Sequence, residues 1–181
     1  MSLMCPRSLR RLSVLVTGAA TIVAGRAIAA VDSTGMPRVR SSHAYIRAMI
    51  DEATARSPSF RHLVDAIDAT NGIVYVEHGN CGHNRRACLT MSISSTAEHR
   101  ILHVLVDVRQ PDWDVMASIG HELQHSLEVL GNANLRTTEA IYLFYSREAP
   151  TANEPFETQA AVKAGNTVRQ EVVTFARRKW K

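Results

Sequence analysis

No stretch of the 181 residues is both apolar and long enough to cross a bilayer, which takes about 20 residues. The nearest approach is Leu12 to Ala24, an uncharged run behind Arg7, Arg10 and Arg11 and ahead of Ala27-Ile28-Ala29. A basic start, a short apolar middle and an A-x-A end describe a secretory signal peptide over residues 1–30, cut after Ala29 or Ala30. The rival, a retained signal anchor, is disfavoured by the shortness of the run. Net charge is missing too. The chain has 21 Lys plus Arg and 17 Asp plus Glu, but Arg7, Arg10, Arg11 and Arg26 belong to the acid-free leader, leaving 17 against 17. The sequence pI of about 9.3 is therefore mostly a leader property and no argument for nucleic acid. Cysteine is scarce. Cys5 precedes the apolar run, so it is no lipoprotein cysteine and leaves with the leader. Cys81 and Cys88 remain, and in an exported protein they are expected to form a disulfide closing the loop CGHNRRAC. A Cys/His metal knuckle using His83 lacks a fourth ligand nearby. Internal repeats and low-complexity tracts are absent, so residues 31–181 read as one domain with its own core.

What is present is ordered as helices, strands, then helices. Residues 32–40 read as a link rich in Ser, Thr, Gly and Pro. Ser41 or Ser42 can cap a helix from His43 to Arg56, and Ser57-Pro58-Ser59 breaks it before a second helix from Phe60 to Ala69. Strands follow at Ile73 to Glu77, Ala87 to Ser94 and Ile101 to Val108, the last the richest in β-branched residues. Helices are expected at Trp113 to Leu130, Thr138 to Glu148 and Pro155 to Lys179. The order argues an α+β fold with a small, mostly antiparallel sheet.

The chemistry concentrates in His121-Glu122-Leu123-Gln124-His125. Val115, Met116, Ile119, Leu123, Leu127 and Leu130 have helical spacing around it, with Pro111, Asp112 or Asp114 as start signals and Gly131 as the stop. Histidines four apart then lie on one helix face, where both rings reach a single cation. Neutral imidazoles suit Zn²⁺, and Glu122 is placed to act as a base on water beside it. The plain alternative is a pair of hydrogen-bonded histidines with no ion.

A catalytic zinc site takes a third protein ligand. The metzincin positions hold Glu128 and Gly131, so that pattern fails. Glu128 lies two turns from His121 and reads as a carboxylate behind the ligands or in solvent. Later carboxylates are Glu139, Glu148, Glu154, Glu157 and Glu171. The run Asn153-Glu154-Pro155-Phe156-Glu157-Thr158-Gln159-Ala160 is expected to open a helix, with Ala160 small enough to let two helices approach. At these residues, over about 101–165, the chain resembles the gluzincin group of zinc metallopeptidases. The resemblance implies His121, His125 and Glu157 as metal ligands, Glu154 as the alternative third ligand, and Glu122 as general base. It also implies a substrate cleft beside the strand Ile101 to Val108. Tyr145 is a candidate donor to a tetrahedral oxyanion, with Tyr142, His99 and His103 behind it; the plain reading of Tyr145 is a core aromatic.

The leading expectation is an exported, secreted or periplasmic zinc metallopeptidase acting on peptides or proteins. The chain leaves little room for a large substrate-binding subdomain. A non-catalytic zinc-binding structural or cell-envelope protein is the alternative, as is an envelope binding module in which the motif is incidental. Glu122 discriminates, because a structural zinc site has no use for it.

Overall fold

The computed structural model describes residues 35–82, 85–148 and 156–179. The expected signal peptide, His83 and Glu154 lie outside them. Val39–Arg40 forms a short strand, β1, where composition predicts only a link. Two residues are too few to carry any alternation. Helices α1 (Ala44–Arg56) and α2 (Pro58–Asp68) follow. A single residue makes the break between them. Ser57 ends α1 and caps α2, its hydroxyl accepting from the Phe60 N–H, with Pro58 in the first turn of α2. Then come β2 (Gly72–His78), β3 (Ala87–Ser95) and β4 (Arg100–Val106), followed by α3 (Asp112–Leu130), α4 (Thr138–Glu148) and α5 (Gln159–Lys179).

The fold is α+β, but the sheet is mixed and not mostly antiparallel. Its order is β1-β2-β4-β3. β1 runs parallel to β2 and β2 parallel to β4; only β3 is antiparallel, on β4. The helical connection α1–α2 is long enough to return the chain for a parallel pair. β4 then inserts between β2 and β3, so those two consecutive strands are not neighbours. β4 is therefore central and β3 is an edge. Leu102, Val104 and Val106 of β4 are fully buried with Val74 and Val76 of β2, while the alternate residues Tyr75, Glu77 and His103 stand half-buried on the other face. No helix among the described residues is long and apolar enough to cross a membrane.

Helix α3 lies between the sheet and α5, and most of its circumference is buried. Its approach to α5 is close because two glycines face the contact. A Cβ on Gly120 would meet Val168 Cγ2 at 2.9 Å, and one on Gly165 would meet His121 Cβ at 3.0 Å. Ala160, expected to serve this purpose, is exposed.

One buried cation fixes where α3 ends. Arg100 is 4% exposed. Its guanidinium donates to the Val129 carbonyl at 3.2 Å, to the Asn132 carbonyl at 2.9 Å and to the Leu130 carbonyl, and its Nε donates to Asn71 Oδ1 at 3.0 Å. The last carbonyls of a helix have no partner within it and carry the negative end of its dipole, so they both satisfy and neutralise this side chain. Arg100→Met should fit the space and strand those carbonyls. The expected loss is about 2–4 kcal/mol, read as a lower urea midpoint with unchanged slope. An unchanged midpoint would show that water replaces the guanidinium.

Candidate metal centre

Helix α3 presents His121 and His125 on one face, as the spacing predicts. The third group arrives from outside any helix. Glu157 precedes α5, whose first turn is capped by Thr158, the hydroxyl accepting from the Ala161 N–H at 3.1 Å. The cap holds Glu157 out of the helix, which overturns the expectation that α5 begins near Pro155. Phe156 turns the chain with φ 81°. A bulky residue there is strained by about 1–3 kcal/mol, a cost met by packing its ring on Tyr142 and Tyr145 (centroids 5.4 and 6.4 Å). The turn points Glu157 back at α3.

Glu157 Oε1 lies 3.3 Å from His121 Nε2 and 3.5 Å from His125 Nε2. The ligand atoms of His121, His125 and Glu157 all fall within 4.8 Å of one another. Tetrahedral ligands bonded at about 2.1 Å stand about 3.4 Å apart, so the two histidine–carboxylate spacings match those of a four-coordinate ion. Glu157 Oε1 is also buried without a hydrogen-bond partner, an orphan that a cation would satisfy. These three residues could hold a metal ion.

The surroundings orient the ligands. Glu128 Oε2 takes the His125 Nδ1–H at 3.0 Å, which leaves Nε2 facing the centre. Glu128 is itself held by the Thr158 hydroxyl at 2.7 Å and the Tyr145 hydroxyl at 3.2 Å. It is thus the carboxylate behind a candidate ligand, one of the two places expected for it, with Thr158 a partner that the sequence does not reveal. Burial opposes charging the His125 ring, but its bond to Glu128 and the nearby Glu157 carboxylate outweigh that and hold its pKa at about 9. Burial likewise works against the Glu157 carboxylate, and the two histidines overcome it, holding its pKa down to about 2.

Glu122 is 5% exposed and points elsewhere than the histidines. Its Oε2 accepts the Leu89 N–H of β3 at 2.7 Å, and its Oε1 lies 3.9 Å from His121 Nε2. Burial pushes its pKa up, with the histidines and the Leu89 N–H pulling the other way. Tyr145 is buried, its hydroxyl bonded to the His125 carbonyl at 3.0 Å and to Glu128.

His121, Glu122, His125, Tyr145 and Glu157 all line one cavity of about 730 Å³. Its strand wall is the edge strand β3, through Ala87 to Leu89 and Met91, and not β4 as the resemblance implies. Tyr142, His99 and His103 do not line it; His103 is on the open sheet face, bonded to Glu77 at 3.1 Å. Glu171 is remote from it, accepting from Ser57 and Ser59 at the α1–α2 corner. The Cys81 and Cys88 sulfurs are at bonding distance, 2.12 Å, and tie the β2–β3 connection to the start of the cavity-lining strand. No family model, curated protein or solved structure matches the chain.

Proposed function

We propose that the protein is an exported zinc-dependent metallopeptidase with a zincin-like arrangement around α3. The observation that carries this reading is the convergence of Glu157 Oε1 on both histidine Nε2 atoms, with Glu122 beside them in an open cavity. Two imidazoles and one carboxylate suit zinc and leave a position open. Bound there, zinc supplies Lewis acidity that lowers the pKa of water and polarises a carbonyl. The chain does the rest. The Leu89 N–H fixes one oxygen of Glu122, so the other takes the proton from a water molecule in the cavity and returns it to the leaving amine. Glu128 holds the His125 tautomer. Tyr145 acts first on Glu128 and His125; donation to an oxyanion requires it to exchange those bonds.

The non-catalytic alternative keeps one supporting observation. The Leu89–Glu122 bond links β3 to α3, so Glu122 has a structural use as well. The experiment that separates them measures metal content in protein purified without added metal, and hydrolysis of a mixed peptide library by the same sample. One zinc per chain with cleavage supports the peptidase. A fully loaded protein that cleaves nothing supports the structural reading. Zinc that survives both His121→Ala and His125→Ala excludes the site.

Proton release gives a further check. A histidine whose folded pKa exceeds the unfolded value near 6.5 stabilises the fold fully below that pH, and the contribution fades as pH rises through about 9. Metal-free protein should accordingly lose stability between pH 6.5 and 9. Zinc binding at pH 7.5 should displace about one proton, from His125, measured calorimetrically in buffers of different ionisation heat. Release of none would mean that His125 is already neutral.

A further inference from the structure

The cavity has a second, oppositely charged end. Asp114 lies seven residues before His121 on α3, about 10 Å along the helix axis. It is 8% exposed and holds two arginines: Arg169 Nη2 of α5 at 2.8 Å and Arg86 Nη1 at 3.6 Å. Both guanidinium side chains remain half or more exposed, at 50% and 61%. Arg85 lines the cavity beside them and has no carboxylate partner among the described residues. Three cations against one carboxylate leave an excess of two positive charges on this wall. Asp114 holds Arg86 and Arg169 without consuming their outward donors, since a guanidinium carries five N–H groups.

We propose that Arg85, Arg86 and Arg169 form a carboxylate-binding subsite, and that the substrate is a peptide carrying a carboxylate about three residues from the bond cleaved. An extended chain spans about 3.3–3.6 Å per residue, so 10 Å is about three residues. The assignment of this carboxylate to a peptide substrate rests on the metallopeptidase reading. A free C-terminus and an Asp or Glu side chain present the same group, and the probes below separate them.

The test uses the full zinc-loaded protein and calorimetric binding of N-acetyl-tetraalanine and its C-terminal amide, then of N- and C-blocked tetrapeptides with Asp or Asn at one position. The wild type should prefer the carboxylate member of one pair by about tenfold, as a solvent-accessible charge-assisted pair allows. Preference in the first pair identifies a terminal carboxylate, and in the second a side chain. The Arg85→Gln/Arg86→Gln variant leaves the Arg169–Asp114 pair intact and should erase the preference without weakening amide binding. A preference undiminished by it owes nothing to Arg85 or Arg86 and overturns the three-arginine subsite, as does equal binding of both members by the wild type. Equal loss for both members assigns the arginines a structural role and also overturns it. An intact, arginine-dependent preference in a protein that cleaves no peptide keeps the subsite and rejects the peptidase reading. Cleavage without preference does the reverse.

Discussion

Glu122→Gln should lower kcat/KM on the best library substrate by about 10²–10⁴-fold, or roughly 3–5 kcal/mol of transition-state stabilisation. Gln keeps the shape and one carbonyl oxygen, so the Leu89 N–H still has an acceptor and β3 stays joined to α3. Metal content and folding should therefore hold. The control is built into the geometry: if Glu122 serves only as that link, Glu122→Gln is nearly silent and Glu122→Leu, which removes the acceptor, lowers stability. Equal cleavage by wild type and Glu122→Gln would exclude it as the base.

The second large effect belongs to Glu157. Glu157→Ala removes the one carboxylate of the group that could hold the ion and leaves two imidazoles, and zinc affinity should fall by more than about a thousandfold, some 4 kcal/mol. Competition against a chromogenic chelator measures it. Glu154→Ala is the matched variant, the other carboxylate that the sequence offers. Zinc lost with Glu154→Ala and kept with Glu157→Ala would overturn the ligand assignment. Glu128→Gln should cost only about 10–100-fold, since it orients His125 without touching the ion.

These residues differ in how readable they were. α3 was visible because Val115, Ile119 and Leu123 repeat at helical spacing between Pro111 and Gly131, and a helix fixes where His121 and His125 point. β4 was visible as a run of buried β-branched residues. β2 and β3 are legible as strands too, but not which strand each pairs with, because strand pairing is decided by contacts far apart in the chain. Glu157 is legible as a residue, but its place outside the helix is not. Thr158 caps α5 and competes with extending the helix through Phe156, a local choice that Glu157-Thr158-Gln159 does not advertise. Arg100 on the α3 carbonyls and the group Arg86–Asp114–Arg169 leave no periodic trace, since each joins segments brought together only by the fold.

Glu157 also bears on how the molecule opens. It stands 32 positions after His125, yet the two ligand atoms lie 3.5 Å apart. An ion between them is a clasp across the intervening chain, and constraining a loop of that length removes about 3–4 kcal/mol of unfolded-state entropy. α4 sits inside the clasped loop, anchored by the buried Ile141 and Tyr145 while Tyr142 and Leu143 are more than half exposed. Adding a chelator should speed amide hydrogen exchange in α4 first, while β4 under α3 keeps its protection. The occupant of the site would thus set the local opening rate of a helix that does not ligate it.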